Sequence, residues 1–181
     1  MIRAGQETDE ALIKAFHEGR NMEAFEMLYQ RYRSPLYRYL NNRLSNTDDT
    51  DELFQDIWTS IIHGQFTHTG NASFRTWFYT VARNRLYDYY RKNRIGLASV
   101  EDVSEMVDTE SPDIQLAHKQ ESKAFQRLVE QLPPRQLDVF LLKVESGLSL
   151  QEIAQVCGEN LDTIKSRYRY AVNKLSQLLE D

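Results

Sequence analysis

The sequence predicts an all-α chain of two small helical domains joined by a flexible acidic linker, with a helix-turn-helix in the second. Three observations carry this expectation. Apolar residues recur at intervals of three and four over most of the chain, and no alternating pattern persists long enough to mark a half-buried strand. Seven glycines and four prolines in 181 residues leave few places for hairpin turns. One stretch, GLASVEDVSEMVDTESPDIQ at 96–115, breaks the pattern: it has six acids, no lysine or arginine, and a Ser-Pro pair, and it reads as a linker with little structure of its own. The expected division is therefore an N-terminal domain over 1–95, a linker over 96–118 and a C-terminal domain over 119–181.

The elements follow in order. From Asp9 to Leu44 the apolar positions are Leu12, Phe16, Phe25, Leu28, Tyr29, Tyr32, Leu36, Tyr39 and Leu40. Pro35 either opens a new helix or kinks a continuous one. A second helical stretch runs from about Thr50 to Ile62 and a third from Phe74 to about Arg94. Between them HGQFTHTGNAS is a polar loop, ending in a helix cap at Asn71 or Ser73. Helical signals return at about Leu116 and run to the end, broken by Pro133-Pro134, Gly147 and Gly158.

Composition narrows the function. A 41% apolar content supports a core, while no apolar run approaches a membrane span and the first residues lack a signal peptide's apolar centre. No membrane insertion and a cytoplasmic location are expected. Cys157 is the single cysteine, and His17, His63, His68 and His118 are scattered, so neither a disulfide nor a metal site is expected. No catalytic constellation or cofactor motif is visible, which argues against an enzyme.

The segment SLQEIAQVCGENLDTIKSRYRYAVNKL, 149–175, carries the clearest motif. Ser149 and Glu152 form a capping box that starts a short helix. Ala154, Gly158 and Ile164 fall where a helix-turn-helix needs a small residue, a turn glycine and an apolar contact. Asn160 can cap the second helix. At 100° per residue that helix places Leu161, Ile164, Tyr168, Ala171, Val172 and Leu175 on one side, and Asp162, Ser166, Arg169, Tyr170 and Asn173 on the other, with Lys165 and Arg167 flanking. Such polar and cationic side chains can reach base edges and phosphates. Glu159 stands where the turn often has an apolar residue.

The segment SFRTWFYTVARNRLYDYYRKNR has six cations (Arg75, Arg83, Arg85, Arg91, Lys92, Arg94) against one acid, Asp88. Projection places Phe74, Phe78, Val81 and Tyr89 inward, Trp77 at the boundary, and Thr76, Tyr79, Thr80, Arg83, Tyr87, Tyr90 and Arg91 outward. Rings interleaved with arginines suit unstacked bases, which stack on the rings while the arginines hold phosphates. The preceding stretch is the opposite: Asp48, Asp49, Asp51, Glu52 and Asp56 crowd its first turns. The helix dipole accounts for the acids up to Asp51, whereas Glu52, Gln55 and Asp56 continue onto the exposed face and suit a basic protein partner. The net charge of −5 comes from this helix and the linker, leaving two basic surfaces for DNA.

AFEMLYQRYRSPLYRYL, DELFQDIW, SFRTWFYTVARNRLYDYYRKNR and LPPRQLDVFLLKVESGLSLQEIAQVCGENLDTIKSRYRYAVNKL together resemble, in order, the successive regions of extracytoplasmic-function (ECF) sigma factors of the sigma-70 family. The resemblance implies a transcription initiation factor that binds core RNA polymerase, reads the −35 and −10 promoter elements and helps to open the DNA. It implies docking of Asp51, Glu52, Gln55 and Asp56 on the polymerase β′ coiled coil, contact of the C-terminal domain with the β flap, and control by an anti-sigma factor. It assigns −10 DNA to Phe66, Ser73, Phe74, Trp77, Tyr79, Arg83, Asn84 and Tyr87. It assigns −35 DNA to Thr163, Lys165, Ser166, Arg167, Arg169 and Tyr170. Asp162, Tyr170 and Val172 depart from the residues common in the family. An alternative is a plain regulator that uses the helix-turn-helix alone, without polymerase.

Overall fold

A computed structural model of the chain describes residues 7–44, 46–64, 73–94 and 116–180, which form eight helices and no strand. Six of the eight helices begin where a side chain accepts from a free backbone amide. α1 (Asp9–Gly19) starts at Thr8, whose hydroxyl accepts from the Ala11 amide at 3.2 Å, and stops at Arg20, held at φ 52°. Asn21 then caps α2 (Met22–Asn41), which continues through Pro35. The proline therefore lies inside one continuous helix, and the true break is at Arg20–Asn21, where the sequence shows no proline or glycine beyond Gly19. Asn46 caps α3 (Thr47–His63) by accepting from the Asp48 amide at 2.9 Å.

α4 (Phe74–Arg94) starts at Ser73, whose hydroxyl accepts from the Thr76 amide at 3.2 Å. The Glu10 carboxylate of α1 accepts from the Phe74 amide at 2.7 Å, tying the start of α4 to the first helix. Asn71, the other expected cap, lies outside the described residues, as do Phe66 and most of the 96–118 segment. The C-terminal half contains α5 (Leu116–Val129), α6 (Pro134–Ser146), α7 (Leu150–Cys157) and α8 (Leu161–Glu180). Pro134 sits at the start of α6, where no amide is required. The capping box of Ser149 and Glu152 is formed, with both reciprocal bonds present.

α1 to α4 pack around Leu12, Leu28, Leu36, Tyr39, Ile57, Ile61, Phe78 and Leu86, all buried. The C-terminal helices then close directly on this body, α6 against α2 and α7 against α4. One buried apolar cluster continues from the N-terminal helices into Val139, Leu141, Leu142 and Ile153. The two helical domains foreseen in the sequence are thus present, and they share a buried seam.

Candidate protein-partner and nucleic-acid interfaces

α3 presents an acidic face. Asp51, Glu52, Gln55 and Asp56 are all exposed, while Leu53, Ile57, Trp58 and Ile61 are buried beneath them. This is the division that the sequence pattern required. The Tyr37 hydroxyl donates to Asp51 at 2.8 Å, and burial together with this carboxylate pushes the Tyr37 pKa up to about 12. Under the face lies an aromatic cluster in which Trp58 meets Tyr29 at 4.9 Å and Phe78 at 5.3 Å between ring centroids. The acidic side chains therefore stand exposed above a buried aromatic floor.

The α7–α8 pair forms the helix-turn-helix. Gly158 takes φ +66° at the turn, and Ile153, Ala154, Val156 and Ile164 are buried between the two helices. Asn160 accepts from the Thr163 amide at 2.8 Å and so starts α8. Ile164, Ala171 and Leu175 face inward as expected, and Asp162, Lys165, Arg169, Tyr170 and Asn173 are exposed. Thr163, Ser166 and Arg167 are half-buried. Arg167 donates to Glu159 at 3.0 Å, so the acid that looked out of place at the turn anchors a cation of the next helix. Arg169 lies 5.5 Å from the Tyr170 ring, which leaves a ring and a guanidinium stacked together on the open face. Lys165 and Asp162 approach to 3.8 Å, both in solvent.

α4 departs from the projection. Thr76 and Tyr79, expected outward, are buried, and Tyr79 is only 1% exposed. Its ring packs against Phe78 at 5.3 Å and Tyr39 at 6.2 Å, while its hydroxyl finds no partner among the described residues. The projection assumed an open outer face, whereas Tyr32 and Tyr39 of α2 enclose the Tyr79 ring, and α7 also packs on α4. Val81 and Tyr89, expected inward, are only half-buried, and Ala82 and Leu86 take the inner positions. Phe74 is fully buried and Trp77 is half-buried against it at 5.7 Å. Asn84 is exposed and Ser73 is committed to its cap.

Arg83 and Tyr87 are engaged with the other half of the chain. Asp138 of α6 is 1% exposed and its carboxylate accepts from Arg83 Nε at 2.7 Å, from the Tyr39 hydroxyl at 2.8 Å and from the Tyr87 hydroxyl at 3.2 Å. Arg43 adds a second guanidinium at 3.8 Å. Arg83 also lies over the Tyr87 ring at 4.3 Å, and Arg43 sits between Tyr87 and Tyr90 at 5.9 and 5.7 Å. Arg83 and Tyr87 of α4 are thus matched with each other and with a carboxylate from α6, while the Tyr87 ring stays partly exposed. Burial alone pushes the Asp138 carboxyl up; the Arg43 and Arg83 guanidiniums and the bonds from Arg83 and Tyr39 outweigh it and hold the carboxyl below the usual carboxylate range. Removing one partner from such a buried pair costs about 3–5 kcal/mol.

Further out on the same seam Arg38 donates to Glu145 at 2.6 Å. Gln126 donates to the Asn41 carbonyl and Arg43 to the Pro134 carbonyl, each at 3.1 Å. The sequence marks Tyr39 only as an apolar helix position and gives Arg43, Asp138 and Glu145 no expected role. One signal was available: Asp138 and Glu145 share the apolar face of α6 with Leu141 and Leu142, and acids at that spacing on a buried face require a cationic counterpart. Cys157 lies within electrostatic reach of Asp138 and Arg83, and burial pushes its thiol up to about 11.

Residues 28–95 match the family model for Sigma-70 region 2, and residues 122–175 match that for Sigma-70 region 4. The chain is 30% identical over 169 residues to the ECF RNA polymerase sigma factor RpoE of Cereibacter sphaeroides, covering 92% of each chain. This chain belongs to the ECF RNA polymerase sigma factors. An ECF sigma factor is a transcription initiation factor that binds RNA polymerase and recognises promoters, and it is not an enzyme. The chain is also 30% identical over 165 residues to the ECF sigma factor BldN of Streptomyces coelicolor, and spans 61% of that relative's length. In fold it is similar to CnrH, solved in complex with the cytosolic domain of CnrY, at a TM-score of 0.72 and 22% identity over 96% of this chain and 98% of that one. No helix among the described residues is long and apolar enough to cross a membrane.

Proposed function

We propose that this ECF sigma factor acts in the cytoplasm, docking on the β′ coiled coil of core polymerase through Asp51, Glu52, Gln55 and Asp56. The observation that carries this reading is the exposed acidic face of α3 above a buried aromatic floor. A rigid acidic patch suits a cationic partner surface and steers its approach. The exposed face of α8 reads −35 duplex: Ser166, Arg169 and Tyr170 face base edges, and Thr163, Lys165 and Arg167 hold phosphates or the turn. The accessible residues of α4, Trp77, Arg83, Asn84 and Tyr87 with Ser73 at its start, serve the opened −10 strand together with Phe66 outside the described residues, while the buried Phe74 and Tyr79 hold the helix in place beneath them.

A groove of about 460 Å³ between α5, α6 and α8 is lined by Phe125, Leu128, Phe140, Val172, Leu175 and Leu179. Its apolar lining suits the tip of the polymerase β flap. The sigma factor RpoE of Bartonella quintana, similar to this chain in fold, was solved in complex with the anti-sigma factor NepR, and an anti-sigma factor is the expected regulator here. The test is run-off transcription with purified core polymerase on a promoter pool. Transcripts that require this chain support the reading; their absence, with tight duplex binding by the chain alone, supports the plain-regulator alternative.

A further inference from the structure

Asp162 stands first on the face of α8 assigned to DNA. It lies in the opening turn of the helix, and Ser166, Arg169 and Asn173 follow it on one stripe at helical spacing. Its side chain is 96% exposed, and among the described residues the carboxylate meets only the Lys165 ammonium, at 3.8 Å in solvent. The helix dipole favours an acid in the first turn. The capping bond there is made by Asn160, however, whose side chain accepts from the Thr163 amide at 2.8 Å. A bare carboxylate on a face that approaches phosphates weakens binding to every sequence unless a base amine meets it.

The first residues of a helix that enters the major groove are the ones that reach base edges. A carboxylate can only accept, and the groove offers two amines, cytosine N4 and adenine N6. The adenine amine lies between two acceptors, its own N7 and the O4 of the paired thymine, and both repel a carboxylate. The cytosine amine has an acceptor on one side only, the guanine O6. Lys165 lies beside the carboxylate and offsets its repulsion from the phosphates. We propose that Asp162 is a specificity residue for the −35 duplex, accepting from the N4 amine of one cytosine and rejecting the other three bases at that position. The inference rests on the assignment of α8 to −35 duplex and adds a named base to it. Asp162 and Arg169 are about 10.5 Å apart along the helix axis, so the two read different base pairs. Repulsion contributes to the selection as much as attraction does, because each wrong base turns an acceptor or a flanked amine towards the carboxylate.

The test uses holoenzyme assembled from core polymerase and the full chain, selected on promoter duplexes with a randomised −35 region. Wild type is compared with Asp162→Ala, Asp162→Asn and Arg169→Ala, each checked for helix content by circular dichroism. Wild type is expected to enrich cytosine about 10-fold over the other bases at one position. Asp162→Ala should lose that preference and bind the duplexes without this cytosine more tightly than wild type does, a gain that a merely weakened helix start would not give. Asp162→Asn should move the same position to adenine, because an amide pairs with adenine N6 and N7 together. Unchanged preferences in both Asp162 variants, with Arg169→Ala still relaxing one position, overturn the role of Asp162 and leave the −35 assignment standing. A wild-type holoenzyme with no preference at any randomised position overturns the assignment of α8 itself, and this inference with it.

Discussion

Tyr79 shows how a single position separates chemistry from packing. Its ring is enclosed by Phe78, Tyr32 and Tyr39, and its hydroxyl has no partner among the described residues. A buried hydroxyl without a bond is a cost, so deleting it should help or do nothing. Tyr79→Phe is expected to leave the urea midpoint unchanged or raised, whereas Tyr79→Ala should lose about 3–5 kcal/mol through the cavity it leaves. A destabilised Tyr79→Phe would show that the hydroxyl is satisfied after all. On α8 the contrast is between Arg169 and Lys165, both exposed. Arg169→Ala should cost roughly 1–3 kcal/mol at one promoter position and relax the preference there, while Lys165→Ala should weaken all sequences alike and lower the salt dependence. Binding selections on randomised −35 duplexes distinguish the two; equal, sequence-independent losses would reassign the face.

At the scale of the element, α3 and α7 both depend on how a helix begins. Asn46 caps α3 and its acids follow within the first turns, so the dipole and the partner surface favour the same residues. The charge at Asp51 and Asp56 is exposed, and reversing both to lysine should leave the helix content unchanged. The same double reversal should strongly reduce retention on immobilised core polymerase. Full retention with a normal circular dichroism spectrum would remove α3 from the partner surface. α7 has only eight residues, and its capping box satisfies two of its free amides. Ser149→Ala should cost about 1 kcal/mol, read as a lower thermal midpoint.

For the whole molecule the decisive feature is the seam, and its pH dependence has a definite sign. The Asp138 carboxyl is held below its ordinary range while Arg43, Arg83, Tyr39 and Tyr87 surround it and Cys157 lies nearby. A depressed carboxyl contributes stability that is present above the unfolded value, about 3.9, and is lost as pH falls through the folded one. Scattering should therefore show a closed chain through neutral pH and expansion only in acid, below about pH 3.9. Asp138→Asn should abolish that acid transition. An opening centred near pH 6–7 would place the control on another group.

The sequence by itself determined the helices, the helix-turn-helix and the acidic face of α3. These depend on contacts between residues a few positions apart: caps at Ser149 and Asn160, a turn glycine at Gly158, and apolar spacing of three and four. The acidic face of α3 and the outer face of α8 were legible because Asp51, Glu52, Gln55 and Asp56, and Lys165, Arg169 and Tyr170, stay exposed in the folded chain. What α4 presents was decided only by tertiary structure. A helical projection separates two faces but cannot say that a second domain packs on the outer one. Nor can it say that Tyr32 and Tyr39 of α2 enclose Tyr79, or that Arg83 and Tyr87 bond to a carboxylate 55 and 51 residues away in sequence. Asp138 is meaningful only once α2, α4 and α6 meet, because a buried charge is stable only where the fold gathers its counter-charges.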